Sequence, residues 1–242
     1  MRLLLVLYLA GIPAWAAITL TSSPGYLGDV RSNGYDSKIA LADLDLSQGD
    51  VVIAHGGNNY RSGSDFGPIT AGYTEIYVDS TDGPAFGVWY KVMGAVPDDS
   101  FKAYGTGADQ DVTAYLVYGL SGVDTSHVVD TLATASNGSS TNPDPAAIVT
   151  VTDSAWVIPC GVSAVVDYGT GTISGYSNNY SQSGDDVNDL SVAFTTKQVN
   201  TAGSEDPGAW SDWNDGVWRV ATVAIRPATS AAATIAPGFF FR

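Results

Sequence analysis

Asp50-Val51-Val52-Ile53-Ala54-His55-Gly56 is a polar turn followed by a continuous apolar run, and Ser154-Ala155-Trp156-Val157-Ile158-Pro159-Cys160-Gly161 repeats it. The likeness extends in both directions. Gly72-Tyr73-Thr74 with Tyr77, Ser80 and Asp82 returns as Gly175-Tyr176-Ser177 with Tyr180, Ser183 and Asp185, always 103 residues on. Val88-Trp89-Tyr90 matches Val192-Ala193-Phe194 at 104, and Ala114 to Tyr118 matches Val220 to Ala224 at 106. Upstream, Lys38-Ile39-Ala40-Leu41 resembles Ala147-Ile148-Val149-Thr150, and Ile18-Thr19-Leu20 resembles Val128 to Leu132. A period near 104 is too long for a solenoid or a propeller blade, so it reads as two related β-halves of about five strands each.

Composition agrees with strands. Of 25 acidic residues only Glu75 and Glu205 are glutamates, there are four lysines, and glycine reaches 27 in 242 residues. Asp and Gly make turns through side-chain hydrogen bonds and positive φ, whereas the missing Glu and Lys would populate helix surfaces. The short apolar runs are separated by clusters such as Gly56-Gly57-Asn58-Asn59 and Asn137-Gly138-Ser139-Ser140. The expected fold is all-β, an antiparallel β-sandwich of jelly-roll type built from two related halves offset by about 104 residues. Asn142-Pro143-Asp144-Pro145 is short enough for a tight connection, so one sandwich domain over residues 18–227 is expected rather than two in tandem. Within it, period-2 alternation places Ala221, Val223 and Ile225 on one strand face and Thr222 and Ala224 on the other, with Val223 in the core.

The two ends fall outside this expected domain. Residues 1–17 form an apolar arm, Met1-Arg2 followed by Leu3 to Ala10 and closing on Ala14-Trp15-Ala16-Ala17, which has the parts of a secretory signal cleaved after Ala16. Retained, it would need burial against another chain, the domain or a membrane. Residues 228–242 read as a small-residue linker ending in Phe239-Phe240-Phe241-Arg242, and those three rings are the expected assembly contacts.

The order Gly49-Asp50-Val51-Val52-Ile53, Gly-Tyr-Thr, Val88 to Lys91, Tyr118 to Asp124 and Trp218 to Pro227 resembles β-sandwich structural proteins of tailed phages, prophages and gene-transfer-agent-like particles, among them decoration, head-spike and tail components. The resemblance spans Ile18 to Pro227. It implies a non-enzymatic component of a virion surface, with other virion subunits or identical copies as partners and contact to host-surface glycans. The signal-like N-terminus departs from that pattern and points instead to an exported, lectin-like domain, secreted or on the cell surface.

Charge and site chemistry narrow the alternatives. A net charge of −15 repels phosphate backbones and anionic membranes, so nucleic acid is not an expected partner. Two histidines, His55 and His127, cannot build a multi-His zinc site, neither lies beside a nucleophile elbow, and Cys160 sits in an apolar run as a small hydrophobe. No fingerprint requires a cofactor, and no enzyme is expected, a secreted hydrolase being the remote alternative. Tyr60, Trp210 and Trp213 lie in polar loops where a flat ring can stack on a sugar, making them the carbohydrate-binding candidates, although burial as loop anchors is the competing reading. Asp185, Asp186 and Asp189 cluster oxygen ligands suited to Ca2+ without the spacing of an EF-hand, and solvated turns compete with that reading.

Overall fold

The computed structural model describes residues 15–27, 38–58, 67–81, 84–103, 113–164, 171–183, 190–211, 213 and 216–229. Two antiparallel sheets face each other. The first contains β1 (Thr19–Leu20), β2 (Gly25–Leu27), β4 (Val51–Asn58), β5 (Thr74–Asp79), β6 (Ala85–Val92) and β8 (Thr113–Ser121), in the order β1-β8-β4-β6-β5, with β2 also on β8. The second contains β9 (Val129–Ser140), β11 (Ala155–Ser163), β12 (Ser177–Ser183), β13 (Ser191–Val199) and β15 (Gly216–Ile225), in the order β9-β15-β11-β13-β12. Two short ribbons complete the set, β3 (Lys38–Ala40) with β7 (Ser100–Lys102) and β10 (Ile148–Val149) with β14 (Ser204–Glu205).

Among the described residues the strands of one half have their counterparts in the other, ribbons included, with β1 and β2 together standing where β9 stands. Each half fills one sheet completely. The chain finishes the first sheet at β8 before opening the second at β9, so the observed path differs from the interleaving of strands between sheets that a jelly roll would give.

The pairing also sets the true correspondence between halves. His55 pairs with Leu116 and Val88, and Cys160 pairs with Ala221 and Phe194. These registers equate β4 with β11 and β8 with β15 at an offset of 105, and β6 with β13 at 106. The sequence match of Ala114–Tyr118 to Val220–Ala224 at 106 is therefore one residue out, and that of Val88–Tyr90 to Val192–Phe194 at 104 is two residues out. Side chains alternate faces with period two, so a one-residue slip would have equated the inward Tyr118 with the outward Ala224. At 105 its counterpart is Val223, which shares the inter-sheet core with Ala221 and Ile225 as the alternation predicts.

Both sheets are covered on both faces, which explains the continuous apolar runs of β4 and β11. Between the sheets lie Val51, Ile53, Phe86, Leu116, Tyr118, Ile158, Phe194 and Val223. Gly57 allows the central strands to approach, since a Cβ there would lie 2.5 Å from the Ala85 carbonyl oxygen and 3.0 Å from Val162. Outside the first sheet, Ile39, Phe101 and the 3-10 turn Leu41–Leu44 cover Val52, Ala54 and Tyr115. Outside the second, Ile148 covers Val157 and Ala224, while Ile173, Trp210 and Trp213 cover Trp218 and Val220.

A repeated clamp holds each ribbon down. Lys91 binds Asp98 at 2.5 Å with its ammonium 5.8 Å from the Tyr73 ring centre, and Lys197 binds Glu205 at 2.6 Å with its ammonium 5.4 Å from the ring centre of Tyr176. Tyr176 also donates to Glu205 at 3.0 Å. Such half-exposed pairs contribute through the stacked ring and the fixed geometry more than through charge alone.

Candidate functional site

The chain enters and leaves the described body at one place. Trp15 and Thr229 are antiparallel bridge partners, the Ala16 amide donates to the Ala228 carbonyl at 2.7 Å, and the Ala228 amide donates to the Gly122 carbonyl at 2.8 Å. Gly122 has φ 76°, and a Cβ on it would lie 2.2 Å from the Ala17 carbonyl oxygen, so this junction requires glycine. The paired body therefore takes in Trp15 and Thr229, a few residues beyond the span 18–227 expected from sequence. The apolar segment 1–14 and the aromatic segment 230–242 are consequently attached side by side. Phe239, Phe240 and Phe241 themselves lie outside the described residues, as do Tyr60, Asp185, Asp186 and Asp189.

Trp210 and Trp213 are described, and both are buried, at 1% and 3% exposure. Their rings lie 5.3 Å apart, and Trp213 packs on Gly171, where a Cβ would come within 2.3 Å of the indole. The backbone of Trp210 is tied by its amide to the Pro143 carbonyl and by its carbonyl to the Asn142 side-chain amide. A sugar platform needs one open ring face. In this arrangement both rings serve as cover for the outer face of the second sheet.

The titratable groups at the centre have a different setting. His55 and Tyr118 are fully buried and neither imidazole nitrogen nor the phenol has a hydrogen-bond partner. Tyr118 stacks on Phe194 with centroids 4.2 Å apart, joining the sheets, and His55 meets both rings edge-on at 5.8 and 5.9 Å. Burial pushes the His55 pKa down to about 3, offset only in small part by the Ala193 backbone, which lies near the ring without the geometry of a full hydrogen bond, so the imidazole is neutral at ordinary pH. Burial pushes Tyr118 and the Cys160 thiol up, which keeps the thiol protonated and unreactive.

On the surface, Asp124, Ser126 and His127 touch one another, but in the wrong arrangement for a charge-assisted nucleophile. Ser126 donates both its amide and its hydroxyl to Asp124 Oδ1, at 3.0 and 2.6 Å, while His127 Nδ1 faces the hydroxyl at 3.0 Å and the carboxylate at 3.8 Å. A triad needs the serine proton directed to one imidazole nitrogen and the carboxylate on the other. Here the hydroxyl proton goes to the carboxylate, and the group is a side-chain-bonded turn whose Ser126 contacts hold Asp124 low in pKa.

The second inter-sheet feature is ionic. Arg219 of β15 is 4% exposed and pairs with Asp79 of β5. Burial raises the Asp79 carboxyl, but the Thr81 amide and hydroxyl and the Arg219 guanidinium more than offset it, leaving the pKa below its ordinary value. A third feature is a groove between β1 and β12, lined by Leu20, Ser22, Ser23, Asn178, Asn179 and Tyr180. Sequence reasoning missed it because its walls are 158 residues apart in the chain, measured from Leu20 to Asn178; the signal within reach was the departure of Asn178-Asn179 from Glu75-Ile76 inside an otherwise faithful repeat.

Among the described residues no group of His, Cys, Asp and Glu is placed to hold a metal ion, and no helix is long and apolar enough to cross a membrane. No protein-family model, curated protein or solved structure matches the chain.

Proposed function

We propose that the chain is a non-enzymatic structural module of a phage or phage-like particle, a rigid body displayed on the surface and joined to neighbouring subunits or identical copies through its two apolar ends. The observation that carries this reading is the pairing of Trp15 with Thr229, which brings the attachment points of both sticky segments together on one side of the sandwich. Each phenylalanine of the C-terminal trio is worth roughly 2 kcal/mol if buried, and the linker before it offers few large apolar side chains as a surface. A partner subunit supplies that surface. The charge of −15 keeps the remaining faces apart.

Deletion of Thr234 to Arg242 tests this. The truncated chain is expected to stay folded and monomeric by sedimentation and to be missing from purified particles of the native source. Incorporation at full occupancy would remove the role of the tail. The exported, lectin-like alternative separates on a second measurement: mass spectrometry of the natural protein shows an intact N-terminal segment for assembly and a new terminus at Ala17 for export.

A further inference from the structure

The two halves match in strand order and pairing, and against that likeness one difference stands out at the edge of the sandwich. At the seam where β5 meets β9, the contact is closed: Ile76 and Ala133 both pack on the inter-sheet core. The related seam, between β1 and β12, is open. Asn178 and Asn179 of β12 occupy the positions held by Glu75 and Ile76 in β5, as fixed by the registers Ser177 with Thr196 and Tyr180 with Phe194 against Thr74 with Tyr90 and Tyr77 with Val88. Both strands carry a bulge there, but in one half it packs a partly buried isoleucine against the core and in the other it presents an exposed asparagine. The opposite wall departs in step. β9 follows β15 along almost its whole length, whereas the chain leaves β8 after Thr21, whose amide still donates to the Gly119 carbonyl, and rejoins it at Gly25, throwing out Ser22-Ser23-Pro24.

These two irregularities face each other across a groove of about 320 Å³. Its floor is the partly exposed Leu20 and Tyr180, underlain by the buried Phe194, which is stacked on Tyr118. Its rim is hydroxyls and amides, Ser22, Ser23, Asn178 and Asn179, with no charged side chain among the lining residues. Asn178 is held in the left-handed region at φ 53° and donates to the Thr196 hydroxyl at 2.8 Å. Left-handed backbone at a non-glycine residue costs stability, and strand bulges that re-aim side chains recur beside binding sites.

We propose that this groove binds a neutral saccharide. An apolar, aromatic floor takes the C–H face of a pyranose while amides and hydroxyls, each both donor and acceptor, pair with its hydroxyl groups. The absence of charge in the lining and the −15 net charge disfavour anionic ligands. The size suits about one or two rings. Neither Trp210 nor Trp213 lines the site, and it stands whether or not the chain assembles into a particle.

The test uses the isolated full chain with methyl hexosides and with maltose, lactose and cellobiose, read by saturation-transfer NMR and titration. At least one neutral sugar is expected to receive saturation on its ring protons. Asn179→Ile, which copies the closed seam, should weaken that sugar at least about tenfold with an unchanged melting temperature, while Leu132→Asn on the far exposed face leaves it unaffected. If Asn179→Ile does not fold, Ser23→Tyr on the rim fills the groove instead. Lack of transfer to every neutral sugar, undiminished binding by the groove-filling variant, or binding only of an extended peptide along the β12 edge would each overturn the proposal.

Discussion

His55 and Cys160 hold the same position in the two halves of the sandwich, 105 residues apart, both pointing between the sheets and both followed by glycine. One half thus fills the position with a small hydrophobe and the other with a buried imidazole that has no hydrogen-bond partner. An unpaired polar group at the centre of a core is a standing cost, and in acid it becomes a liability.

The folded imidazole has a pKa near 3 against 6.5 when unfolded, so between these values the unfolded chain binds the extra proton. Stability is therefore unaffected by this group above about pH 6.5 and falls as pH drops below it, levelling off near 3. At pH 5 the loss from His55 is about 2 kcal/mol relative to pH 7.5. Urea unfolding at both pH values checks this: His55→Leu should remove that increment. An unchanged pH dependence would show that the imidazole is not buried in its neutral form.

Gly49 and Ser154 are also equivalent, and both adopt positive φ, 88° and 63°. Glycine accepts this conformation without steric cost, whereas serine does not. Ser154→Gly should raise stability by about 0.5 kcal/mol and Gly49→Ser should lower it by about 1 kcal/mol, the latter with no clash to confuse the result because nothing lies within 4 Å of the added Cβ. Thermal melts of the pair with opposite signs are the expected outcome.

The Arg219–Asp79 pair ties β15 to β5 across the sandwich. Asp79→Asn leaves a guanidinium buried without its counter-charge and should cost about 2 kcal/mol, less than for a fully enclosed pair because the carboxylate is 23% exposed. Replacing both, as Asp79→Leu with Arg219→Met, should recover most of the loss. The pair's contribution is present above the ordinary carboxylate range and is lost as pH falls through the lowered pKa of Asp79. Equal stability of Asp79→Asn and the parent at pH 7 would mean the pair does not hold the sheets together.

Val223 is 1% exposed in the inter-sheet core. Val223→Asp places a charge with no partner between the sheets and is expected to abolish soluble folding, at a cost of several kcal/mol. Recovery of a soluble variant with the parent's melting temperature would refute the placement of that strand.

The strand content, the duplication and the inward face of β15 were all legible in the sequence, because each rests on local signals: turn residues, alternation with period two and ordered landmarks at a near-constant spacing. The offset between β8 and β15 was misread by one residue because apolar runs buried on both faces, such as Ala114 to Leu120, carry no alternation to fix their register. Only the tertiary structure decided that each half fills a whole sheet, that Trp210 and Trp213 turn inward, that His55 lies between two aromatic rings, and that Leu20 and Asn179 face one another across a groove. These are pairings between residues far apart in the chain, and which faces meet is set by packing two twisted sheets together, a constraint that no short stretch of sequence contains.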